Sequence, residues 1–268
     1  MIANGKLIAK KMEDELKRKI EKLPLKKLCF VMFGENLAST QFVGMKVRMA
    51  ERLGISATVK KFPEVLETNE VCSLIQNISA QGYNGIVVQL PLPEYLDTQK
   101  VLNSVPFKLD IDILSDQAKA SFVHGDSGKI PPVARAVFEI LDFYNTSLKH
   151  KNILLVGNGK LVGEPVASML TRKGNLFHMI DKNSSEEEKM LHLKSADIII
   201  SGAGSSGLIK PDMVKDGVVL IDAGTSEQAG KLVGDIDPEC AQKASLITPV
   251  PGGVGPVTVV SLFANLLD

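Results

Sequence analysis

The sequence predicts an α/β protein built on short, buried strands of the parallel kind. Three observations carry that expectation. Residues 152–181, NILLVGNGKLVGEPVASMLTRKGNLFHMID, hold a strand, a glycine turn, a helix and a second strand in succession. The apolar runs ADIIIS and GVVLIDA each lead into a glycine-containing loop. The run GIVVQLPLP places a four-residue apolar strand ahead of a polar and proline-rich exit.

Composition narrows the class. A length of 268 residues allows one or two domains, and 44% hydrophobic content is ample for a full core. Lys plus Arg equals Asp plus Glu at 31 each, so no net field draws in nucleic acid or an anionic membrane. Cys29, Cys72 and Cys240 are too widely spaced for a disulfide framework or a zinc site and read as reduced thiols. No run approaches ~18 apolar residues, and the first residues lack a signal-peptide core. A cytoplasmic protein with its ligands in local sites is expected.

In chain order, residues 7–23 carry Leu7, Ile8, Met12, Leu16 and Ile20 among charges, an amphipathic helix. Residues 27–33 form a strand, and the turn residues GENLAST follow, with Ser39 or Thr40 able to cap the next helix. On that helix, residues 41–53, the side chains Phe42, Val43, Met45, Val47, Met49, Ala50 and Leu53 form one apolar arc with Lys46 in its middle. Such a lysine either packs its stem while the ammonium reaches water, or is a desolvated amine usable for proton transfer. Residues 56–62 read as a strand, 68–79 as a helix and 85–88 as a buried strand. Gln89 stands at that strand's carboxyl end, where open α/β sheets place their ligands; it is a candidate contact or an ordinary loop bond. Pro91 and Pro93 stiffen the loop, and residues 97–105 form a short helix. In residues 108–114, KLDIDIL, Asp110 and Asp112 alternate with apolar residues and so project to one side, with no His or Glu cluster to support a metal. Residues 116–129 suit a linker between halves, and Pro131 and Pro132 open a helix to about residue 144.

The second half turns on Gly157, Gly159 and Gly163, which follow the strand 153–156. Glycines there allow a sharp turn and close approach of backbone to a pyrophosphate, while a helix starting near Val162 aims its free N–H groups at the phosphates. The second strand, 176–180, ends at Asp181, 18 residues beyond Gly163, where an acid can hold a ribose diol. Residues 184–194 are an exposed connector and helix, 196–201, 217–223 and 246–248 are strands, and 259–267 are a closing helix. Between the last two, PVPGGVGPVT at 249–258 makes a shaped, stiff loop.

Taken together, NGKLIA, FVGMK, GIVVQLPLP, DID, GNGKLVGEP, ADIIISGAG, VLIDAG, GDID and above all ITPVPGGVGPVT resemble the bifunctional methylenetetrahydrofolate dehydrogenase/methenyltetrahydrofolate cyclohydrolase family, the FolD type, over essentially the whole chain. The resemblance implies a two-domain α/β fold. One domain, 1–121 with 255–268, would be catalytic and folate-binding; the other, 122–254, would be a Rossmann-type dinucleotide-binding domain, with folate in the cleft between them. It implies oxidation of 5,10-methylenetetrahydrofolate by a nicotinamide cofactor, hydrolysis to 10-formyltetrahydrofolate, and a homodimer. Lys46 matches the catalytic lysine, Gln89 the glutamine that supports it, and Asp112 the acid that holds the pterin ring. Gly157, Asn158, Gly159, Gly163, Asp181, Ser201, Gly202, Ala203, Gly204 and Thr225 match the cofactor side; Phe42, Leu90, Pro91, Pro251, Gly252 and Gly255 match the substrate side.

Departures from the family pattern are specific. The tyrosine usually four before the lysine is Phe42, the usual D-V-D-G is DIDI with Ile113 for glycine, and the usual P-C-T-P is PPVA at 131–134. Where many relatives carry arginine and serine after the first glycine, this chain has Asn158 and Gly159. With no cation for a 2′-phosphate and Asp181 for a diol, NAD is expected over NADP. Rival readings are a dehydrogenase without the hydrolytic step, a two-domain dehydrogenase for a hydroxylated ring acid, and a non-catalytic folate or nucleotide sensor.

Overall fold

The computed structural model describes residues 1–34, 37–228 and 230–267. Its elements run α1 (Gly5–Ile20), β1 (Lys27–Phe33), α2 (Leu37–Arg52), β2 (Ser56–Phe62), α3 (Thr68–Ser79), β3 (Gly85–Val88), α4 (Thr98–Asn103), α5 (Asp116–His124), α6 (Pro132–Phe143) and β4 (Ile153–Val156). They continue as α7 (Gly163–Arg172), β5 (His178–Ile180), α8 (Glu186–Ser195), β6 (Ile198–Ser201), β7 (Val219–Asp222), β8 (Ser226–Gln228), β9 (Lys231–Val233), β10 (Leu246–Ile247) and α9 (Val254–Ala264). The chain divides into two compact units, Met1–Lys10 with Val133–Thr258, and Lys11–Pro132 with Val259–Asp268.

The second of these units is built on a parallel three-stranded sheet in the order β2-β1-β3. Strand β1 is central and buried from Leu28 to Phe33, so it reads as a continuous apolar run; β2, at the edge, mixes exposed and half-buried residues and buries none fully. Cys29, Val31 and Phe33 pack with Val71, Ile75 and Ile78 of α3, Ile86 and Val88 of β3, and Val101 and Leu102 of α4. Burial pushes the Cys29 thiol up to about 11, that of an inert core group.

The other unit holds a five-stranded parallel sheet, order β10-β7-β6-β4-β5. The order reverses at β4, with β5 on one side and β6 on the other, and such a reversal is where open α/β sheets place their ligands. Leu154, Ile180, Ile199, Leu220 and Ile247, one from each strand, share a core with Leu193 of α8 and Cys240. The amino terminus belongs to this unit because Ile2 bridges Ile247 and the Ala3 N–H donates to the Ile247 carbonyl at 2.8 Å.

Several elements differ from the sequence reading. The expected linker at 116–129 contains α5, capped by Ser115, which accepts from the Ala118 N–H, and closed by Gly125 in the left-handed region at φ 80°. The closing helix starts at Val254, five residues earlier than expected, so the second half of PVPGGVGPVT is its first turn. Helix α2 begins at Leu37, which puts Ser39 and Thr40 inside it; the expected turn lies partly outside the described residues. The short hairpin β8-β9 was not anticipated, since its three-residue strands carry no apolar alternation. No helix among the described residues is long and apolar enough to cross a membrane.

Candidate active site

Helix α2 buries Val43, Met49 and Ala50, with Leu53 buried just beyond its end, and leaves Met45 38% exposed, so its apolar arc is narrower than the wheel suggests. Lys46 lies at the margin of that arc with a side chain only 15% exposed. Its Nζ donates to Gln89 Oε1 at 3.1 Å. Gln89 continues the β3 pairing, its N–H donating to the Val31 carbonyl at 2.8 Å, and its Nε2 donates to the Leu90 carbonyl at 2.6 Å. Both bonds hold the glutamine's carbonyl oxygen toward the lysine.

Asp112 Oδ2 stands 4.0 Å from Lys46 Nζ, at the limit of an ion pair, with a side chain 23% exposed. Burial pushes its carboxyl up; the Lys46 ammonium pulls the other way, and Asp110 adds a smaller upward push. Lys46, Gln89 and Asp112 are therefore gathered in one place, brought together from α2, the end of β3 and the turn after a 3-10 segment at Phe107–Leu109. Phe42 is half-buried one turn before Lys46, while Leu90 is half-buried and Pro91 exposed beyond Gln89.

The expectation that Asp110 and Asp112 project alike is corrected. Asp110 is 4% exposed and turns inward, where its carboxylate accepts the N–H groups of Ile113 at 2.8 Å and Ser115 at 2.9 Å and the Ser115 hydroxyl at 2.7 Å. The turn is not a strand, and Ile113 sits at φ 59°, the left-handed region. The family's glycine position thus holds a β-branched residue in a backbone that favours glycine.

In the other unit, the candidate cofactor residues cluster at the carboxyl ends of β4, β6 and β7. A side chain at Gly163 would collide with the Gly157 carbonyl and come within 2.7 Å of the Asn158 Cα; one at Gly157 would come within 2.9 Å of Ala203. Those glycines let the first loop press against the loop after β6. Gly159 instead faces open space, which leaves the backbone accessible. Asn158, Ala203, Gly204 and Thr225 are exposed and Gly202 is half-buried. Asp181 accepts from Asn158 Nδ2 at 2.8 Å and from the Asn183 N–H at 2.8 Å. Pro251, Gly252 and Gly255 belong to this unit, Gly252 with φ 109°.

Ser201 is the exception among these residues. It is fully buried, and its hydroxyl donates to Asp235 Oδ2 at 2.7 Å. Asp235 also accepts the N–H groups of Ala203 at 2.7 Å and Ser205 at 2.8 Å, so it shapes the whole loop. Sequence reasoning passed over Asp235 and its neighbour Asp222. The available signal was an acid ending the apolar run VLID and another inside GDID, both too apolar in setting to be solvated. Burial, with a contribution from Asp235, raises the Asp222 carboxyl to about 6.

Comparison with known proteins matches both halves of the chain. The tetrahydrofolate dehydrogenase/cyclohydrolase catalytic domain matches residues 3–112, and the NAD(P)-binding domain of the same proteins matches residues 131–268. The chain is 37% identical to the bifunctional protein FolD of Nautilia profundicola over 98% of this chain and 95% of that one, and 38% identical to that of Hydrogenobaculum sp. over 99% and 97%. The crystal structure of the Campylobacter jejuni FolD methylenetetrahydrofolate dehydrogenase/cyclohydrolase superposes with a TM-score of 0.93 at 33% identity, covering 100% of this chain and 97% of that one. The Trypanosoma brucei enzyme, complexed with NADP and an inhibitor, gives 0.92 at 28% identity, covering 100% and 96%.

Proposed function

The chain belongs to the tetrahydrofolate dehydrogenase/cyclohydrolase family, and we propose that Lys46, Gln89 and Asp112 are the groups with which it processes folate. It oxidises 5,10-methylenetetrahydrofolate to the methenyl cation and hydrolyses that cation to 10-formyltetrahydrofolate. The observation that carries the residue assignment is Lys46 Nζ, 3.1 Å from Gln89 Oε1 and 4.0 Å from Asp112 Oδ2.

In hydrolysis a water oxygen bonds the methenyl carbon and gives up a proton, and the carbon–N5 bond then breaks as N5 gains one. An amine on a flexible stem can carry that proton. Lys46 is that group. Gln89 orients it, because the glutamine amide is committed to the Leu90 carbonyl. Asp112 accepts N–H bonds from the pterin ring, a charge-assisted contact, and Phe42, Leu90 and Pro91 line the ring.

The nicotinamide cofactor accepts the hydride when bound. Residues 157–163 with Gly202, Ala203, Gly204 and Thr225 hold it, and the fit lies in the backbone: close packing at Gly157 and Gly163, open access at Gly159. Our reading is that NAD is preferred over NADP. Asn158 brings no cation for a 2′-phosphate, and Asp181 sets a like charge against one. At ~4 Å that repulsion is on the order of 4 kcal/mol at an effective dielectric of ~20. Exposed Lys182 offsets part of it.

The test is a coupled assay: a folate-dependent rise in nicotinamide absorbance, then decay of the methenyl absorbance. Lys46→Met keeps the length of the side chain and removes the ammonium, so the folded variant should lose the second phase. Undiminished hydrolysis in that variant would overturn the assignment. The assembly that goes with this reading is a homodimer, which light scattering reports as twice the 28.9 kDa chain mass.

A further inference from the structure

The backbone that presents Asp112 is held from both sides by buried polar groups. On its N–H side, the Asp110 carboxylate gathers Asp112 at 3.2 Å, Ile113 at 2.8 Å, Leu114 at 3.2 Å and Ser115 at 2.9 Å. On its carbonyl side, the Lys129 ammonium, in a residue only 7% exposed, donates to Phe107 at 3.4 Å, Lys108 at 2.9 Å and Asp110 at 3.3 Å, and stands 5.6 Å over the Phe107 ring. Asn265, 1% exposed, takes the next carbonyl, Ile111, at 2.8 Å, and ties it to Ile130 through both ends of its amide.

Burying an ammonium is costly unless its donors are all used. Here three of its hydrogen bonds fall on carbonyls of one short segment. The segment needs such restraint, because Ile113 is held at φ 59°, where a β-branched residue is strained. Among the described residues, the shortest polar contact of the Asp112 carboxylate is its 4.0 Å approach to Lys46, so its aim depends on the backbone behind it.

We propose that Lys129, together with Asn265, is a positioning residue for folate binding: by fixing the carbonyls of residues 107–111 it holds the Asp112 carboxylate beside Lys46 before substrate arrives. This rests on the reading of Asp112 as the pterin anchor. Preorganisation of this kind spares the ordering cost at the moment of binding.

The experiment is a double-mutant cycle with Lys129→Met and Asp112→Asn, read as KM for methylenetetrahydrofolate and KM for the nicotinamide cofactor. Asp112→Asn should raise the folate KM about 10-fold, as loss of a charge-assisted bond does. Lys129→Met should raise it at least about 5-fold with the cofactor KM within about 2-fold, and the double variant should be no worse than about 2-fold beyond Asp112→Asn, since both act through one carboxylate. A merely structural lysine would lower the melting temperature while leaving the folate KM alone, or would add its full effect to that of Asp112→Asn; either result overturns the proposal. An unchanged folate KM in Asp112→Asn overturns the anchor reading and the proposal with it. Should Lys129→Met fail to fold, Asn265→Leu, which releases the Ile111 carbonyl alone from this segment, carries the same expectation.

Discussion

Ile113 offers a direct measure of how strongly the Asp112 turn is held. The residue is 2% exposed and sits at φ 59°, whereas Ile111, two positions earlier, is 0% exposed with no positive φ. Truncating either to Ala or to Gly opens nearly the same cavity, so the cavity cost cancels when the two truncations are compared at one site. At an ordinary position Gly is the worse of the pair, losing one methyl of burial, about 0.8 kcal/mol, and about 0.5 to 1 kcal/mol of backbone entropy. At a left-handed position Ala retains a Cβ strain of about 1 to 2 kcal/mol that Gly lacks. Ile111→Gly should therefore be less stable than Ile111→Ala by about 1.5 kcal/mol, while Ile113→Gly should match Ile113→Ala to within about 0.5 kcal/mol. Thermal unfolding resolves this, since 1 kcal/mol moves Tm by about 2 to 4 °C in a chain of this size. The same Gly-to-Ala gap at both positions would refute the strained turn and, with it, the need for Asp110, Lys129 and Asn265 to restrain it.

Three other outcomes are expected. Asp222, raised from 3.8 to about 6 in the folded protein, binds its proton more tightly folded than unfolded; the stability this adds is complete below about pH 4 and is lost as pH rises through 6, about 3 kcal/mol in all. Denaturant titrations at pH 4 and pH 7 should show that decline in the native protein and a shallower one in Asp222→Asn, and parallel curves would count against it. Gly163→Ala should weaken nicotinamide cofactor binding at least about 10-fold and spare folate binding, because its Cβ displaces the Gly157 carbonyl and the Asn158 backbone; equal affinity by cofactor titration would show the loop is not the binding surface. Catalytic efficiency with NAD should exceed that with NADP at least ~10-fold, a difference of about 1.4 kcal/mol, and Asp181→Ser should narrow it. Equal or better turnover with NADP in the native protein would sink that preference.

What could be read from the sequence is whatever depends on local pattern. The strands β1, β2 and β3 and the helix α3 fall at their expected limits because each is a short uniform run with a punctuating residue at one end, Gly34 after β1, Pro63 after β2, Glu67 before α3 and Gly85 opening β3. Lys46, Gln89 and Asp112 were singled out for different reasons, an ill-placed charge, a strand end and a resemblance, and the fold brings Gln89 and Asp112 each within 4.0 Å of Lys46. What could not be read is where a side chain turns when two local options are equal. Asp110 and Asp112 are two positions apart, alike in chemistry and equally flanked by isoleucine or leucine. Alternation assigns them the same side, yet one is enclosed by N–H groups of residues 112–115 and the other faces Lys46.

The difference is made by distant partners. A bridge between Asp110 and Ile86 of β3 ends the extended path at Asp110, and the carbonyls then turn toward Lys129 and Asn265, 19 and 155 residues further along the chain. Once those carbonyls are taken, the N–H groups of residues 112–115 have to find their acceptor on the opposite side, and the Asp110 carboxylate is the group in reach. That leaves Asp112 the one acid of the pair free to meet a ligand, a choice imposed by hydrogen-bond saturation rather than by its own identity. Exchanging the roles by mutation therefore should not work: Asp110→Asn removes an acceptor from a turn with several donors to satisfy, and the retained Asp112 cannot supply it while paired with Lys46. Such a variant should lose folate affinity through Asp112 losing its place, with the cofactor KM unmoved, and a variant that bound folate normally would show that the turn holds its shape without Asp110.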